Sequence, residues 1–266
     1  VGRTFTNFLK DQNKLLHDQY VMERYREGLT GKGTQTADPK FNFKKPVFKK
    51  KQGLDLQKIS ELNKEHPARD YLERRKIEDL ESFYYCPKFK QWTNEQKKTF
   101  DTLRQDSPRI IIPLKDKDGN MFGYQGRSLA PKAKIRYITI MLDDSMPKVY
   151  GLDRIDPTKE VYVTEGPFDS HFITNSIAMC GSDVDLRSFD YRFTYVFDNE
   201  PRNREIVTKI EHAIKIGNDV VIFPRHIKEK DLNDMALAGH DVQNMVKSNT
   251  YSGLQAKLKL NEWKKV

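Results

Sequence analysis

From residue 160 onward the chain alternates short β-branched or aromatic runs with helical stretches, and no other feature narrows the fold so far. Residues 161–164, 177–180, 194–197 and 220–223 predict strands, while 168–175, 202–216, 231–238 and 241–246 predict helices. Strands separated by helices need crossover connections, so this segment predicts an α/β domain, a largely parallel sheet with helices on both faces. Ligands of such sheets gather outside the carboxyl ends of the strands. No internal repeat interrupts the pattern.

Acidic residues stand at three of those strand ends. Glu165 follows VYVT and precedes Gly166, whose missing side chain leaves room for a close approach. Asp169 comes four residues later. Asp198 and Glu200 follow TYVF, and two residues apart in extended backbone point the same way. Asp231 and Asp234 follow VVIF after a lysine-containing loop. Taken singly, Asp169 reads as a helix N-cap and Asp234 as a first-turn acid facing the macrodipole. Carboxylates gathered on one rim repel one another and raise one another's pKa, and a hard divalent cation relieves that. The conjunction of three acidic strand ends therefore points to a metal site.

The preceding region is organised differently. Residues 4–28 read as one amphipathic helix, with Phe5, Phe8, Leu9, Leu16, Tyr20 and Met22 near helical spacing and Gly28 as its stop. Residues 29–53 hold seven lysines against one aspartate, a local +6 out of the net +9, and read as a flexible basic linker. Phe41, Phe43 and Phe48 within it are candidates for base stacking, although a solubilising tether is the plainer reading. Residues 54–104 read helical, with Pro67 opening a helix and 92–103 forming another. RIIIPL, an Asp-Gly turn and the run 121–127 predict a β-hairpin, and IRYITI and KVYGL predict further short strands. The domains expected are 1–28, the linker 29–53, a basic mixed α+β subdomain 54–158, the parallel-sheet domain 159–250 and a C-terminal helix or tail 251–266. In that last piece Leu254, Leu258, Leu260 and Trp263 either dock a partner or, more simply, pack on their own domain.

Composition narrows the partners. Lys and Arg number 47 against 38 Asp and Glu, with a sequence pI near 9.3, which favours a polyanion, nucleic acid ahead of a membrane. No apolar run nears the ~18 residues of a membrane span, and no signal peptide opens the chain, so a cytoplasmic protein without a membrane partner is expected. Cys86 and Cys180 are too few for a disulfide framework or a four-cysteine zinc site. The chain opens on Val1-Gly2 rather than Met, from which an upstream piece is expected to have been removed.

EGPFDS, FDNEP and KDLND, in that order, resemble the TOPRIM domain of DnaG-type primases, topoisomerases and some nucleases. Two departures stand out: Asp198-Asn199-Glu200 replaces the usual Asp-x-Asp, and Asn233 occupies the second Asp position of the third motif, followed by Asp234. RIIIPLKDKDGNMFGYQGRSL resembles the arginine–strand–Asp-Gly–strand–Gly-Arg segment that precedes TOPRIM in DnaG-type primases, and Arg136-Tyr137 and KVYGL resemble later elements of it. FLKDQNKLLHDQYVMERYREG, DNEPR and GLQAKLKLNEWKKV are similar to the primases of T-even-type bacteriophages.

The resemblance implies a primase polymerase core that makes short RNA primers on single-stranded DNA by two-metal nucleotidyl transfer. It implies catalytic roles for Glu165, Asp198 and Glu200, and a Mg²⁺ site, open to Mn²⁺, drawn from these with Asp169 and Asp231. It implies nucleotide or template contacts from Arg109, Arg127, Arg136 and Lys148, and a third motif of Lys230, Asn233 and Asp234. The partners implied are single-stranded DNA, ribonucleoside triphosphates, a hexameric replicative helicase and a single-strand-binding protein, in the cytoplasm of a phage-infected host. Zinc is expected only in an N-terminal ribbon that this chain lacks. The rivals are a TOPRIM nuclease using water as nucleophile and a non-catalytic single-strand-binding scaffold. A topoisomerase would need a separate tyrosine-bearing domain for which the chain has no room.

Overall fold

The computed structural model describes residues 2, 4–27, 54–181, 184, 186 and 188–266, in two units, 1–49 and 50–266. The basic linker 29–53, with Phe41, Phe43 and Phe48, lies outside the described residues. The first unit holds two helices where the sequence predicts one: α1 (Phe5–Gln12) and α2 (Lys14–Arg26). The break is at Asn13, whose backbone is extended and whose carboxamide oxygen accepts from the Leu15 and Leu16 amides. A side chain that caps the next helix cannot also continue the previous one. Phe5 meets Tyr20 edge-on at 5.3 Å across the turn.

The second unit begins with β1 (Gln57–Lys58), then α3 (Pro67–Arg74), which Pro67 opens as expected, β2 (Tyr84–Cys86) and α4 (Phe89–Gln96). The helix expected over 92–103 thus lies earlier and ends at Gln96, because the Asn94 oxygen takes the Thr99 and Phe100 amides and turns the chain away. The hairpin forms as predicted, β3 (Arg109–Lys115) and β4 (Met121–Ser128), around Gly119 at φ +79°, with Asp116 Oδ1 accepting from the Asp118 and Asn120 amides. With β5 (Tyr137–Met141) these strands make an antiparallel sheet in the order β1-β2-β3-β4-β5. Alternation sorts its two faces. Cys86, Ile111 and Tyr124 pack under Phe89 and Trp92 of α4, while Ile110, Ile112 and Leu114 join the main core.

The remaining strands are β6 (Val149–Tyr150), β7 (Val161–Thr164), β8 (Ser176–Met179), β9 (Phe193–Val196), β10 (Asp219–Val221) and β11 (Thr250–Tyr251). Their order is β11-β10-β9-β7-β8-β6, with the inner four parallel and both edge strands antiparallel. β6, placed by sequence with the basic subdomain, is the edge of this second sheet. Four helices follow the strands: α5 (Arg204–Lys215), α6 (Leu232–Leu237), α7 (Val242–Ser248) and α8 (Gly253–Trp263). The helix expected over 168–175 is a single 3-10 turn, Asp169–Phe172.

Each face of this sheet is covered differently. Tyr162, Val196 and Val221 face α6 and α7. On the other face α5 and α8 cover Val220 and Ile222, while Val161, Val163 and Phe193 belong to the core shared with the first sheet. Ala256, Leu260 and Trp263 of α8 are buried there, so the C-terminal helix packs on its own domain. Between α5 and the first sheet a seam remains, and the candidate site opens along it.

Candidate functional site

The strand ends deliver their acids to one rim, in two groups. Glu165 continues the face of Val161 and Val163 and meets Lys209 of α5, Nζ to Oε1 2.9 Å. Lys209 also holds Glu205 at 3.0 Å. Burial works against its charge, but the two carboxylates hold its pKa above the ordinary lysine value. On the α6 side, Asp169 accepts the Asn233 amide at 3.3 Å. Gly166 makes that placement possible, since a Cβ there would lie 2.8 Å from Asp169 Oδ2. The close approach expected at Gly166 is therefore that of a carboxylate from its own chain.

Asp198 sits between the groups. Its amide donates to Glu165 Oε2 at 3.4 Å, and burial, then Glu165, push its carboxyl up to about 6 against the opposing pull of Lys230. Burial, then the negative charges of Asp231 and Asp198, push Asp169 up to about 8. Lys230 Nζ spans Asp198 Oδ2 at 3.5 Å and Glu200 Oε2 at 3.4 Å, so the two acids of the paired motif do point the same way. Asp231 Oδ1 caps α6 through the Asp234 amide at 2.7 Å. Burial and Asp231 raise Asp234 as well. Asn233 is buried and exchanges two hydrogen bonds with Arg75, accepting from Nη1 at 2.8 Å and donating to the Arg75 carbonyl at 2.6 Å.

Among the described residues, no three of the Asp, Glu, His and Cys side chains converge closely enough to enclose a metal alone. The donor set still fits a hard divalent cation. It is all carboxylate oxygen, two of its members titrate high partly because their neighbours are negative, and ammonium groups pair with Glu165, Asp198 and Glu200. Mg²⁺ typically uses one or two carboxylates and takes its other ligands from water and phosphate oxygens.

The basic residues divide. Arg127 lies on the face of β4 turned toward the second sheet, with Nε on the Tyr71 hydroxyl at 3.0 Å and its guanidinium 4.7 Å from the Tyr137 ring centroid. Arg75, at the end of α3, lies over the same Tyr71 ring at 5.0 Å and donates to Asn233, whose amide meets Asp169, so these cations and the acids of the second sheet adjoin one another. Arg136, next to Tyr137 in the chain, is exposed. Lys148 is half-buried just before β6, and because β6 runs antiparallel, its carbonyl meets the Cys180 amide at the carboxyl end of β8, on the acidic rim.

Arg109 departs from expectation. It is 7% exposed, and its guanidinium donates to the Gly126, Arg136 and Ile135 carbonyls while lying over Phe89 at 5.2 Å. Three of its five N–H donors are thereby spent on backbone carbonyls, tying β3 to β4 and to the start of β5.

Several contributors escaped the sequence. Arg75 and Lys209 carry no sequence signal beyond the i,i+4 spacing of Glu205 and Lys209. Asn199, between the paired acids, is a staple: its amide group donates to the Ile227 and Glu229 carbonyls, and its oxygen accepts from Trp263 Nε1 at 3.0 Å.

This arrangement of an antiparallel and a mostly parallel sheet is similar to the fold of solved RNA polymerase domains of primases. The primase of Aquifex aeolicus, solved as its zinc-binding and RNA polymerase domains, superposes with a TM-score of 0.53 at 18% identity. The alignment covers 71% of this chain and 57% of that one, so this chain spans little over half the length of that relative. The RNA polymerase domain of Mycobacterium tuberculosis primase DnaG, in complex with a double-stranded DNA oligomer with a 6-nucleotide overhang, gives a TM-score of 0.55 at 17% identity, over 76% and 78% of the two chains. In sequence, the chain is similar to the DNA primase of Enterobacteria phage T4, 29% identical over 269 residues, 97% of this chain and 78% of that protein. No family profile matches the chain.

Proposed function

We propose that this chain is the polymerase core of a DNA primase, joining ribonucleotides on a single-stranded DNA template. The observation that carries the proposal is the seam, where Glu165, Asp198 and Asp169 stand across from Arg127 and Arg75 on a fold shared with primase cores. The similarity to a phage primase and the overhang-bearing DNA bound by the mycobacterial core support template binding here.

In the reaction, the 3′-oxygen of one nucleotide forms a bond to the α-phosphorus of the next, pyrophosphate leaves, and the hydroxyl proton passes to solvent. Glu165 and Asp198, with Glu200, Asp169 and Asp231, would hold Mg²⁺ or Mn²⁺. Bound there, the metal supplies charge neutralisation for the attacking and leaving oxygens. Asp169, raised to about 8, would release its proton on taking up the cation, whereas Asp198, at about 6, is already largely ionised at neutral pH. Lys209 and Lys230, now resting on Glu165, Asp198 and Glu200, would exchange those carboxylates for phosphate oxygens. Arg127, Arg136 and Lys148 neutralise triphosphate and template charge, and preorganised positioning provides most of the rate. A hexameric helicase and a single-strand-binding protein remain the partners proposed, with the cytoplasm of an infected host as the setting. Among the described residues no helix is long and apolar enough to cross a membrane.

The test is labelled-ribonucleotide incorporation on single-stranded DNA with Mg²⁺ or Mn²⁺. Short RNA from the wild type, lost in Glu165→Gln and Asp198→Asn, supports the assignment. Full synthesis by either variant removes it, and metal-dependent DNA cleavage without nucleotides assigns the site to a nuclease instead.

A further inference from the structure

The two arginines of the hairpin differ in what they leave free. Arg109 spends three N–H donors on backbone carbonyls. Arg127 gives one, Nε, to the Tyr71 hydroxyl at 3.0 Å and makes no other hydrogen bond among the described residues. Its two Nη groups, the remaining donors of the fork, are therefore uncommitted. The group is held all the same. Its central carbon lies 5.4 Å from the Tyr71 ring centroid and 4.7 Å from that of Tyr137. A guanidinium fixed at Nε and against aromatic rings presents its Nη groups in one orientation, as bidentate contact with a phosphate requires.

Tyr71 owes its place to α3. It stands one helical turn before Arg75, so the two share a face, and Arg75 lies over the same ring at 5.0 Å. Beyond Arg75, Lys76 takes φ +55° and ends the helix. These two residues fasten that end to α6. Arg75 exchanges two hydrogen bonds with Asn233, and Lys76 Nζ donates to the Ala236 carbonyl at 3.1 Å. Asn233 gives its amide to Asp169, and the Tyr71 ring centroid lies 6.0 Å from that of Phe168, the residue before Asp169. Tyr71 is thus borne on a helix tied to the acidic rim, while its hydroxyl holds a cation of the first sheet. Rigid elements place a functional side chain more closely than loops do.

We propose that Tyr71 is a positioning residue, whose hydroxyl aims the Nη groups of Arg127 at a phosphate. The inference rests on the primase reading, which supplies that phosphate from the incoming triphosphate or from the template backbone. Without the hydroxyl, Arg127 keeps its charge and its neighbouring rings but loses the bond that sets its rotation. The ligand must then do the fixing, and ordering a long side chain on binding costs affinity. A tyrosine that served packing alone, against Phe168 and the core, would need its ring and not its oxygen.

The experiment uses the whole chain with Mg²⁺ and compares wild type, Tyr71→Phe, Arg127→Ala and the double variant. It measures dissociation constants for ATP and for a single-stranded oligonucleotide, with a thermal melt of each protein. Phenylalanine keeps the ring and removes the oxygen, so the melt should stay level with wild type. Affinity for at least one ligand should fall about fivefold, the order of one unfixed side chain. The loss should reappear in KM for that ligand and not in kcat. A loss for ATP assigns the phosphate to the triphosphate, and a loss for the oligonucleotide assigns it to the template. With Arg127→Ala in place, Tyr71→Phe should change neither affinity, because the group it positions is gone. Arg127→Lys, which keeps the charge and discards the held fork, should lose at least as much as Tyr71→Phe. Full affinity for both ligands in Tyr71→Phe or in Arg127→Lys overturns the inference. So does a Tyr71→Phe loss of the same size in the Arg127→Ala background. Each of these results leaves the primase reading standing. A wild type that binds neither ligand brings down the primase reading, and the inference with it.

Discussion

The two sides of the acidic rim solve the same electrostatic problem in opposite ways. On the α5 side Glu165 is half-exposed and already paired, its charge answered by Lys209. On the α6 side Asp169 is half-buried among like charges, which favour its protonated form. Asp198 belongs to both, feeling Glu165 from one side and Asp231 from the other. One side is thus held ready-charged by an ammonium group, while on the other Asp169 keeps its proton beside the charge of Asp231.

The largest effect should come from breaking the link. Asp198→Asn is expected to lower incorporation at least a hundredfold with the thermal melt intact, and Glu165→Gln to do nearly the same, judged by single-turnover primer synthesis. Asp169→Asn sharpens the contrast through stability. A carboxyl raised to about 8 when folded binds its proton more tightly there than when unfolded, so the wild type loses stability as pH rises from about 4 to 8. Asp169→Asn should therefore melt a few degrees higher than wild type at pH 8.5 and level with it near pH 4, and Mg²⁺ should narrow the gap by stabilising the wild type more. A wild type that gains stability from pH 5 to 8 relative to the variant would sink this account.

On the paired side, Lys209→Met should bring no such pH-dependent gain. Removing a competitor for Glu165 should tighten Mg²⁺ binding by a few-fold, read by calorimetry, while nucleotide binding weakens. The smallest effect separates the two arginines of one hairpin: Arg127→Ala should weaken DNA binding and flatten its salt dependence by about one phosphate, with little change in melting. Arg109→Ala should do the reverse, costing about 2 kcal/mol in urea unfolding through three lost hydrogen bonds.

Much of this was legible because the signals were local. The Asp-Gly hairpin and the acids at Glu165 and Asp198 follow from short patterns that tertiary contacts reinforce. What stayed hidden depends on the assembled sheet. β1 and β2 are two- and three-residue strands in polar surroundings, fixed by pairing with β3 and not by their own sequence. Asp169 reads as a helix cap and Arg109 as a phosphate ligand until burial is known. Lys209 becomes a partner of Glu165 only when α5 lies over the sheet. The split of the first helix at Asn13 was readable in principle, since Asn is a strong cap, but the apolar periodicity runs straight through it.

The Trp263–Asn199 hydrogen bond has a consequence in time. Asn199 lies between the two acids of the paired motif, and its staple closes only when a residue more than sixty positions later has been placed. During synthesis, the strands and acids leave the ribosome first and wait for that indole. A nascent chain halted before α8 would carry every acid of the site while its Asp198–Glu200 loop lacked its last anchor, so the site is complete only once α8 has folded onto the sheet.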